Sequence, residues 1–308
     1  MSIRHRGTAV TALAVLTLLG CSSRDTAAPG NDEPLTVVAS TNVYGSIAEA
    51  VGGARITVES LVIDPAADPH SYEATPTDAV AVADASVVVF NGGGYDDWMG
   101  QLIESAGGDR TVIDVAELSG LEPTTEPGAG AGGFNEHLWY SLPTVRKLAT
   151  ELAGDLGTAD PANATEYAAN AEKFTGQVDE LLGTAQAIGA THPGTRVAIT
   201  EPVPGYLIEA AGLTDATPAE FAEAIEEDTD PPAAVLAETL QLFAGDPVRA
   251  LILNAQTQTP TTDQVRQAAQ AAGVPVVEMT ETLPEATTDY VSWMGGQIDA
   301  LAAALNRT

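Results

Sequence analysis

The run Leu35-Thr36-Val37-Val38-Ala39 is short, apolar and rich in β-branched residues, and an amphipathic stretch follows it. The same alternation recurs along the chain. Runs of this kind indicate buried strands, and the amphipathic stretches between them are typical of crossover helices that join parallel strands. The sequence therefore predicts an α/β fold with parallel sheets. The predicted strands are Leu35–Ala39, Ile56–Val62, Ser86–Phe90, Thr111–Val115, Arg196–Thr200, Val248–Leu253 and Val274–Met279.

A long segment with helical periodicity separates the first four strands from the last three. It extends from about Asn163 to Ile188, and apolar residues that include Phe174 and Val178 lie along one face. We therefore expect an N-terminal α/β lobe over residues 35–160, a linking helix over 161–190 and a C-terminal α/β lobe over 191–308. In such a fold, ligands bind beyond the carboxyl ends of the strands, in the cleft between the lobes.

Four pairs of a capping residue and a proline predict helix starts in both halves of the chain. In two of them the threonine is followed three residues later by an acid, Thr75 by Asp78 and Thr217 by Glu220, which indicates a capping box. The four pairs are Thr75-Pro76, Thr217-Pro218, Asp230-Pro231 and Thr259-Pro260.

The composition narrows the classes of function. The 308 residues include 43 acids, 12 bases and one cysteine, and the formal net charge is −31. Such a charge excludes a nucleic-acid binder that works through basic patches, and a single cysteine excludes a disulfide framework. We expect a monomer with no nucleic-acid partner. The hydrophobic fraction of 44% is sufficient for two cores.

The N-terminus predicts export. Arg4 and Arg6 precede an apolar run over residues 9–19, which is too short to span a bilayer and is typical of a signal peptide. The run ends in Leu18-Leu19-Gly20-Cys21, which resembles a bacterial lipobox. We expect residues 1–20 to be a signal peptide, Cys21 to be lipidated and residues 21–34 to be a tether, with simple secretion as the alternative.

Four polar residues lie where a ligand is expected. His70 lies in the loop after the Ile56–Val62 strand, and His137 follows a Gly-rich loop over residues 123–133. Glu201 and Glu281 directly follow predicted strands of the second half. Two imidazoles and two carboxylates suit a divalent ion such as manganese, iron or zinc. Each residue also has an ordinary alternative, since a histidine in a loop is often a surface or capping residue and an acid before a helix often caps it.

Three segments carry a family resemblance: Asp68-Pro69-His70-Ser71-Tyr72-Glu73, the segment from Asn91 to Met99, and Asn135-Glu136-His137-Leu138-Trp139. Together with the lipobox they resemble the zinc- and manganese-specific solute-binding lipoproteins of bacterial ABC importers. The resemblance covers residues 35–305. It implies two lobes bridged by a rigid helix, with a four-residue metal site in the cleft.

Residue by residue, the resemblance implies the ligand set. His70 and His137 match the two histidine ligands of the N-terminal lobe. Glu201 matches a third position that holds histidine in typical zinc binders and glutamate in many manganese binders. Glu281 matches a fourth position that is usually aspartate, and Asp289 is the alternative for it. Glu136 departs from the family because proline usually stands there.

The resemblance implies a membrane-anchored extracytoplasmic receptor, not an enzyme. Such a receptor captures one manganese or zinc ion, with iron as a further candidate, and delivers it to a permease with its cytoplasmic ATPase. Glu201 and the lack of a His-rich insert in the 123–133 loop favour manganese. Two alternatives stay open: a secreted metal-dependent hydrolase, and a receptor for an organic solute without metal.

Two further interpretations concern the second half. Asn254 and Gln256 follow a predicted strand and are expected to orient a carboxylate of the site. The acids Glu223, Glu226, Glu227 and Asp228 are interpreted as a solvated helix face.

Overall fold

The computed structural model describes Met1 and residues 34–65, 67–121, 134–287 and 289–307. Cys21, the predicted signal peptide after Met1, the tether up to residue 33 and the Gly-rich loop at 123–133 lie outside these residues. No helix in the described part of the chain combines the length and the apolar character that a membrane crossing requires.

The N-terminal lobe contains a four-stranded parallel sheet in the order β2-β1-β3-β4. Val37 pairs with Val58 on one side and with Val87 on the other. Because β1 and β3 are buried in the middle of the sheet, their β-branched side chains lie in the core. The elements are β1 (Leu35–Thr41), α1 (Asn42–Gly52), β2 (Ile56–Val62), α2 (Pro76–Asp84), β3 (Val87–Phe90), α3 (Asp97–Ala106), β4 (Thr111–Asp114) and α4 (Val115–Ser119).

Two long helices separate this sheet from the second one. They are α5 (Leu142–Ala159) and α6 (Ala164–Thr191). α6 has 28 residues and buries Tyr167, Phe174 and Val178 along one face. The helical periodicity read from the sequence is therefore present, and the expectation of two parallel-sheet lobes with a long helix between them is confirmed.

The C-terminal lobe repeats the strand order of the first lobe, as β6-β5-β7-β8, again with all strands parallel. The short edge strand β6 was not predicted from the sequence, because it consists of two exposed polar residues. The elements are β5 (Arg196–Ile199), α7 (Gly205–Ala210), β6 (Thr214–Asp215), α8 (Ala219–Glu226), α9 (Ala233–Gln241), β7 (Leu251–Asn254), α10 (Pro260–Ala271) and β8 (Val276–Met279).

The predicted helix starts are partly confirmed. Thr75 forms a capping box with Asp78 at the start of α2, and Thr259 caps α10. The predicted box of Thr217 with Glu220 is wrong, because α8 begins at Ala219 without a side-chain cap. The Thr217 hydroxyl instead accepts a hydrogen bond of 2.8 Å from the backbone N–H of Ile199, at the end of β5.

The last helix, α11 (Tyr290–Leu305), returns to the N-terminal lobe. The Tyr290 N–H donates to Ser46 Oγ at 2.9 Å, and its hydroxyl donates to the backbone oxygen of Trp139 at 2.7 Å. Its ring also packs against Phe174 of α6, with ring centroids 6.0 Å apart. One continuous hydrophobic core therefore includes residues of both lobes and holds the lobes together.

Phe174→Ala tests how much this packing stabilises the fold. Phe174 is 3% exposed, so truncation removes buried apolar contacts and leaves a cavity. We expect the free energy of unfolding to fall by about 3–5 kcal/mol, measured by urea denaturation. Lys173→Ala, at the exposed neighbouring position, is the control and should change it by less than about 0.5 kcal/mol. Equal effects of the two changes would contradict the role of Phe174.

Candidate metal centre

His70 lies in the loop between β2 and α2, and this loop is tied to the N-terminal lobe. Trp98 Nε1 donates to the backbone oxygen of Pro69 at 2.9 Å, and the ring of Tyr95 meets the His70 ring edge-on at 4.6 Å. Asp68 Oδ1 accepts from the backbone N–H of His70 at 2.9 Å and lies 3.0 Å from its Nδ1. The other ring nitrogen, Nε2, lies 2.6 Å from Glu136 Oε1.

His137 is held in the same way but is buried. Its exposed fraction is 1%. Asn135 Oδ1 accepts from the backbone N–H of His137 at 3.0 Å and lies 2.8 Å from Nδ1. An amide oxygen only accepts, so the proton of the neutral ring lies on Nδ1 and the Nε2 atom carries a lone pair. Among the described residues, this Nε2 has no hydrogen-bond partner.

The two histidines therefore share a local pattern, an oxygen acceptor two residues before the ring. Asp68 and Asn135 each fix the Nδ1 atom and so orient the ring, as metal-binding histidines require. The pattern is visible in the sequence as Asp68-Pro69-His70 and Asn135-Glu136-His137, and it marks both histidines independently of any family motif.

Glu201 and Glu281 follow the carboxyl ends of β5 and β8, and β7 lies between these two strands. Both are buried, with exposed fractions of 3% and 5%. Asn254, the last residue of β7, donates through Nδ2 to Glu201 Oε2 at 2.5 Å and to Glu281 Oε1 at 2.8 Å. One amide thus holds two carboxylates together. Glu201 Oε1 has no hydrogen-bond partner among the described residues.

Gln256 and Tyr95 fix Glu281 further. Gln256 Oε1 accepts from the backbone N–H of Glu281 at 2.5 Å, and the Tyr95 hydroxyl donates to Glu281 Oε2 at 3.1 Å. Asp289, the alternative to Glu281, instead caps α11, where its Oδ1 accepts from the backbone N–H of Ser292 at 2.8 Å.

The four predicted residues line two pockets that share His70. The ring centroids of His70 and His137 are 6.4 Å apart, and both rings line a cleft of about 590 Å³. His70, Glu201 and Glu281 also line a small cavity of about 20 Å³. A water-sized species needs about 10–15 Å³, so this cavity has room for a single small ion.

Glu226, the last residue of α8, lies in the same cleft, and its interpretation as part of a solvated helix face is wrong. Its side chain is only 17% exposed. Its Oε1 lies 3.3 Å from His137 Nε2 and 3.6 Å from His70 Nε2. His70, Glu136 and Glu226 form a group whose ligand atoms all lie within 4.8 Å of one another.

Glu136 also contacts His70. Its neighbour Gly94 has φ +106, and a Cβ there would lie 3.0 Å from Glu136 Oε2. The close approach of Glu136 to the backbone therefore favours glycine at position 94. In this arrangement Glu136 Oε1 accepts the proton of His70 Nε2, and an ion bound to that nitrogen must replace the proton.

Burial and like charges shift the pKa values in the cleft. Burial raises the pKa of Glu201 to about 8 and that of Glu226 to about 9, and it also raises the pKa of Glu281. Burial lowers the pKa of His137 well below its usual value. Burial also acts to lower the pKa of His70, but hydrogen bonds to Asp68 and Glu136 outweigh it and raise that pKa to about 11. The protonated His70 ring favours the ionised form of all three carboxylates, and a bound cation would favour it in the same way.

Hydrogen bonds join the lobes beside the cleft. Asn135 Nδ2 donates to the backbone oxygen of Pro202 at 2.9 Å, and the Tyr206 hydroxyl donates to the backbone oxygen of Asn135 at 2.7 Å. Asn42 exchanges two hydrogen bonds of 3.0 Å with the backbone of Leu283. The residue that orients His137 is therefore itself attached to the C-terminal lobe.

Comparison with known proteins gives one family. The profile of the family described as ZnuA, zinc-uptake complex component A, periplasmic, matches residues 37–304.

Individual relatives agree with the family match. The manganese-binding lipoprotein MntA of Halalkalibacterium halodurans is 33% identical over 164 residues, which cover 53% of this chain and 52% of the relative. The iron ABC transporter substrate-binding lipoprotein MtsA of Streptococcus pyogenes is 28% identical over 174 residues, or 55% of this chain and 56% of the relative. The chain thus matches about half the length of these relatives.

A solved structure shows the same fold. The periplasmic zinc binding protein TroA from Treponema pallidum superimposes with a TM-score of 0.75 at 21% identity, and the match covers 89% of this chain and 99% of that chain.

Asn254→Leu tests the tie between the two carboxylates. Leucine has a similar volume but no donor, so Glu201 and Glu281 would lose a shared hydrogen bond inside a buried site. We expect the metal-free protein, kept in chelator, to lose about 1–3 kcal/mol of unfolding free energy in urea. Asn306→Leu, the same exchange at an exposed position, is the control. A loss of the same size in the control would disprove the special role of Asn254.

Gly205→Ala tests the attachment of Asn135 to the C-terminal lobe. A Cβ at position 205 would lie 2.6 Å from Asn135 Nδ2, so Asn135 must shift away from Pro202. We expect a loss of about 1–3 kcal/mol in thermal or urea unfolding. Gly176→Ala, on an open face of α6 with nothing within 4 Å of the new Cβ, should instead stabilise the protein by up to about 1 kcal/mol. Stabilisation by both changes would contradict the expected clash.

Proposed function

We propose that this chain, which belongs to the family of the periplasmic zinc-uptake complex component A, is an extracytoplasmic solute-binding protein for a divalent transition metal. It captures one ion between its two lobes and delivers it to an ABC importer, a permease with a cytoplasmic ATPase. The names of the relatives, which refer to manganese, iron and zinc, support this class of cargo. The protein binds and releases its cargo and carries out no catalytic step.

In this proposal His70, His137, Glu201 and Glu281 hold the ion. The observation that carries it is that two atoms of this set, His137 Nε2 and Glu201 Oε1, are buried without hydrogen-bond partners among the described residues. Buried polar atoms are normally paired, since an unpaired one costs about 1–3 kcal/mol. An imidazole nitrogen with a free lone pair and a carboxylate oxygen are both satisfied by the same partner, a metal cation.

The donor set suits manganese or zinc, with iron as a further candidate. Zinc binds most nitrogen and oxygen sites more tightly than manganese, so preference depends on geometry and on the number of oxygen ligands. Glu201 at the third position supplies oxygen where histidine would supply nitrogen, which favours manganese. Elemental analysis of the protein isolated from its native envelope would identify the physiological metal.

Release requires the permease to separate the ligands of the two lobes. The hydrogen bonds of Asn135 with Pro202 and Tyr206, and of Tyr95 with Glu281, cross between the lobes beside the ion. Breaking these contacts would move the histidines of the N-terminal lobe away from the carboxylates of the C-terminal lobe. The continuous core through α6 and α11 keeps the lobes attached while the cleft opens.

The remaining parts of the proposal concern the location and the organisation of the chain. Cys21 carries a lipid anchor after removal of residues 1–20, and residues 21–34 tether the protein to the outer face of the cell membrane. The family's lipoprotein relatives support this anchor. The working unit is a monomer with lobes over 35–160 and 191–308 and a linking helix over 161–190.

The stoichiometry of metal binding tests the site. Purified protein freed of metal and then titrated with Mn²⁺ or Zn²⁺ should bind one ion per chain, measured by calorimetry and by elemental analysis after gel filtration. The double variant His70→Ala/His137→Ala should lose stoichiometric binding because both nitrogen ligands are gone.

His192→Ala is the matched control for this experiment. His192 follows α6, outside the cleft, and lies 3.2 Å from Asn306 Oδ1 through its Nε2. This variant should bind one ion like the unmodified chain. Retention of one tightly bound ion by the double variant would refute the proposed site, and stabilisation of the chain by organic solutes but not by metals would refute the proposed cargo.

A further inference from the structure

Backbone hydrogen bonds at the end of α8 fix the position of Glu226. It is the last residue of α8, and the chain after it leaves the helix through a left-handed residue, Asp228, with φ 52. The N–H of Asp228 bonds to the oxygen of Ile225 at 3.1 Å, and that of Thr229 bonds to the oxygen of Ala224 at 2.8 Å. This pair of bonds is a Schellman motif, which fixes the last turn of the helix.

The carboxylate at this helix end lacks the partners that normally stabilise a carboxylate. Acids at a helix C-terminus are disfavoured by the helix dipole. Both oxygens of Glu226 are buried and have no hydrogen-bond partner among the described residues. No lysine or arginine in the described ranges lies within 4.0 Å of it, and its only close basic groups are the rings of His70 and His137.

His137 and Glu226 present buried polar atoms to each other. His137 Nε2 is aimed into the cleft with a free lone pair, because Asn135 accepts the proton on Nδ1. Glu226 Oε1 lies 3.3 Å from this nitrogen, and neither atom has a hydrogen-bond partner among the described residues. A cation bound by both atoms would satisfy the two of them at once.

The distances match those between two ligands of one ion. Two ligands that each lie about 2.1 Å from a metal are about 3.0 Å apart when they subtend 90° and about 3.6 Å apart when they subtend 120°. Glu226 Oε1 is 3.3 Å from His137 Nε2 and 3.6 Å from His70 Nε2. Glu226 also lines the small cavity that His70, Glu201 and Glu281 line.

We propose that Glu226 is a fifth ligand of the transported ion and binds it together with the two imidazoles at the mouth of the cleft. This inference rests on the proposed function and deepens it. The ligand set then contains two nitrogen donors and three carboxylates, which exceeds the four ligands that a tetrahedral zinc site holds. Such an oxygen-rich set with more than four ligands favours Mn²⁺, which prefers oxygen donors and octahedral coordination.

The test compares Glu226→Gln with Glu227→Gln in the full-length protein. The two variants remove the same charge from adjacent positions, but Glu227 is exposed. Glu226→Gln should weaken Mn²⁺ binding by about 10–100-fold and weaken Zn²⁺ binding much less. Glu227→Gln should leave both affinities within about threefold of the unmodified chain. Glu226→Asp, which keeps the charge but retracts the oxygens, should give an intermediate loss of Mn²⁺ affinity.

Visible absorption of the Co²⁺-loaded proteins separates ligation from a general charge effect. Co²⁺ absorbs weakly in sites with five or six ligands and strongly in tetrahedral ones, so Glu226→Gln should intensify the spectrum and Glu227→Gln should not change it.

Three results would overturn the inference. Equal Mn²⁺ affinities of Glu226→Gln and Glu227→Gln would exclude a role in binding. A loss of affinity with an unchanged Co²⁺ spectrum would show that Glu226 acts through its charge and not as a ligand. An equal loss for both metals would refute its role in selectivity. The affinities of the unmodified chain for Mn²⁺ and Zn²⁺ are measured first. Failure of this chain to bind either metal would instead refute the proposed function.

Discussion

Repulsion between buried carboxylates is the constraint on which the cleft depends. Glu201, Glu226 and Glu281 are largely removed from water, which raises the pKa of each, and the charge of Glu281 raises the pKa of the other two further. The Asn254 amide donates to two of them. Inside a protein such groups either take up protons or bind partners of opposite sign. The arrangement is therefore most stable with a dication, and the fold supplies rigid supports that keep the carboxylates from moving apart.

These supports come from both lobes. The C-terminal lobe contributes the carboxylates through strand ends and the last turn of α8, whereas the N-terminal lobe contributes the imidazoles through two loops. Asn135 joins the two contributions, because one amide orients His137 and also bonds to the backbone of Pro202. The position of a proposed metal ligand is thus coupled to the closure of the cleft. Asn135 is one of the side chains through which a change in one lobe reaches the other.

Much of the fold could be predicted from local patterns, and the part that could not has identifiable reasons. The β-branched runs predicted seven strands, because buried parallel strands need apolar residues on both faces. The strand β6 escaped detection, since two exposed polar residues at a sheet edge carry no such pattern. Thr217 has the sequence of a cap, but its hydroxyl bonds to Ile199, which is distant in the sequence.

The residues of the candidate site were also predicted only in part. His70, His137, Glu201 and Glu281 were predicted because strand ends and family motifs mark them. Glu226 was missed because an acid among acids on a helix is indistinguishable from a solvated residue in the sequence alone. Its burial arises only when α8 packs opposite two histidines of the other lobe, a tertiary contact that no local pattern encodes.

Both sheets use one strand order, with the first strand of each lobe flanked by its second and third. Because of this repetition, the residues that stabilise the fold are different from the proposed metal ligands. The buried residues of the strands stabilise each lobe. Glu201 and Glu281 lie just beyond the ends of their strands and pair with no neighbouring strand. If the proposed function is correct, exchange of a single donor would change the preferred metal while the scaffold remains intact.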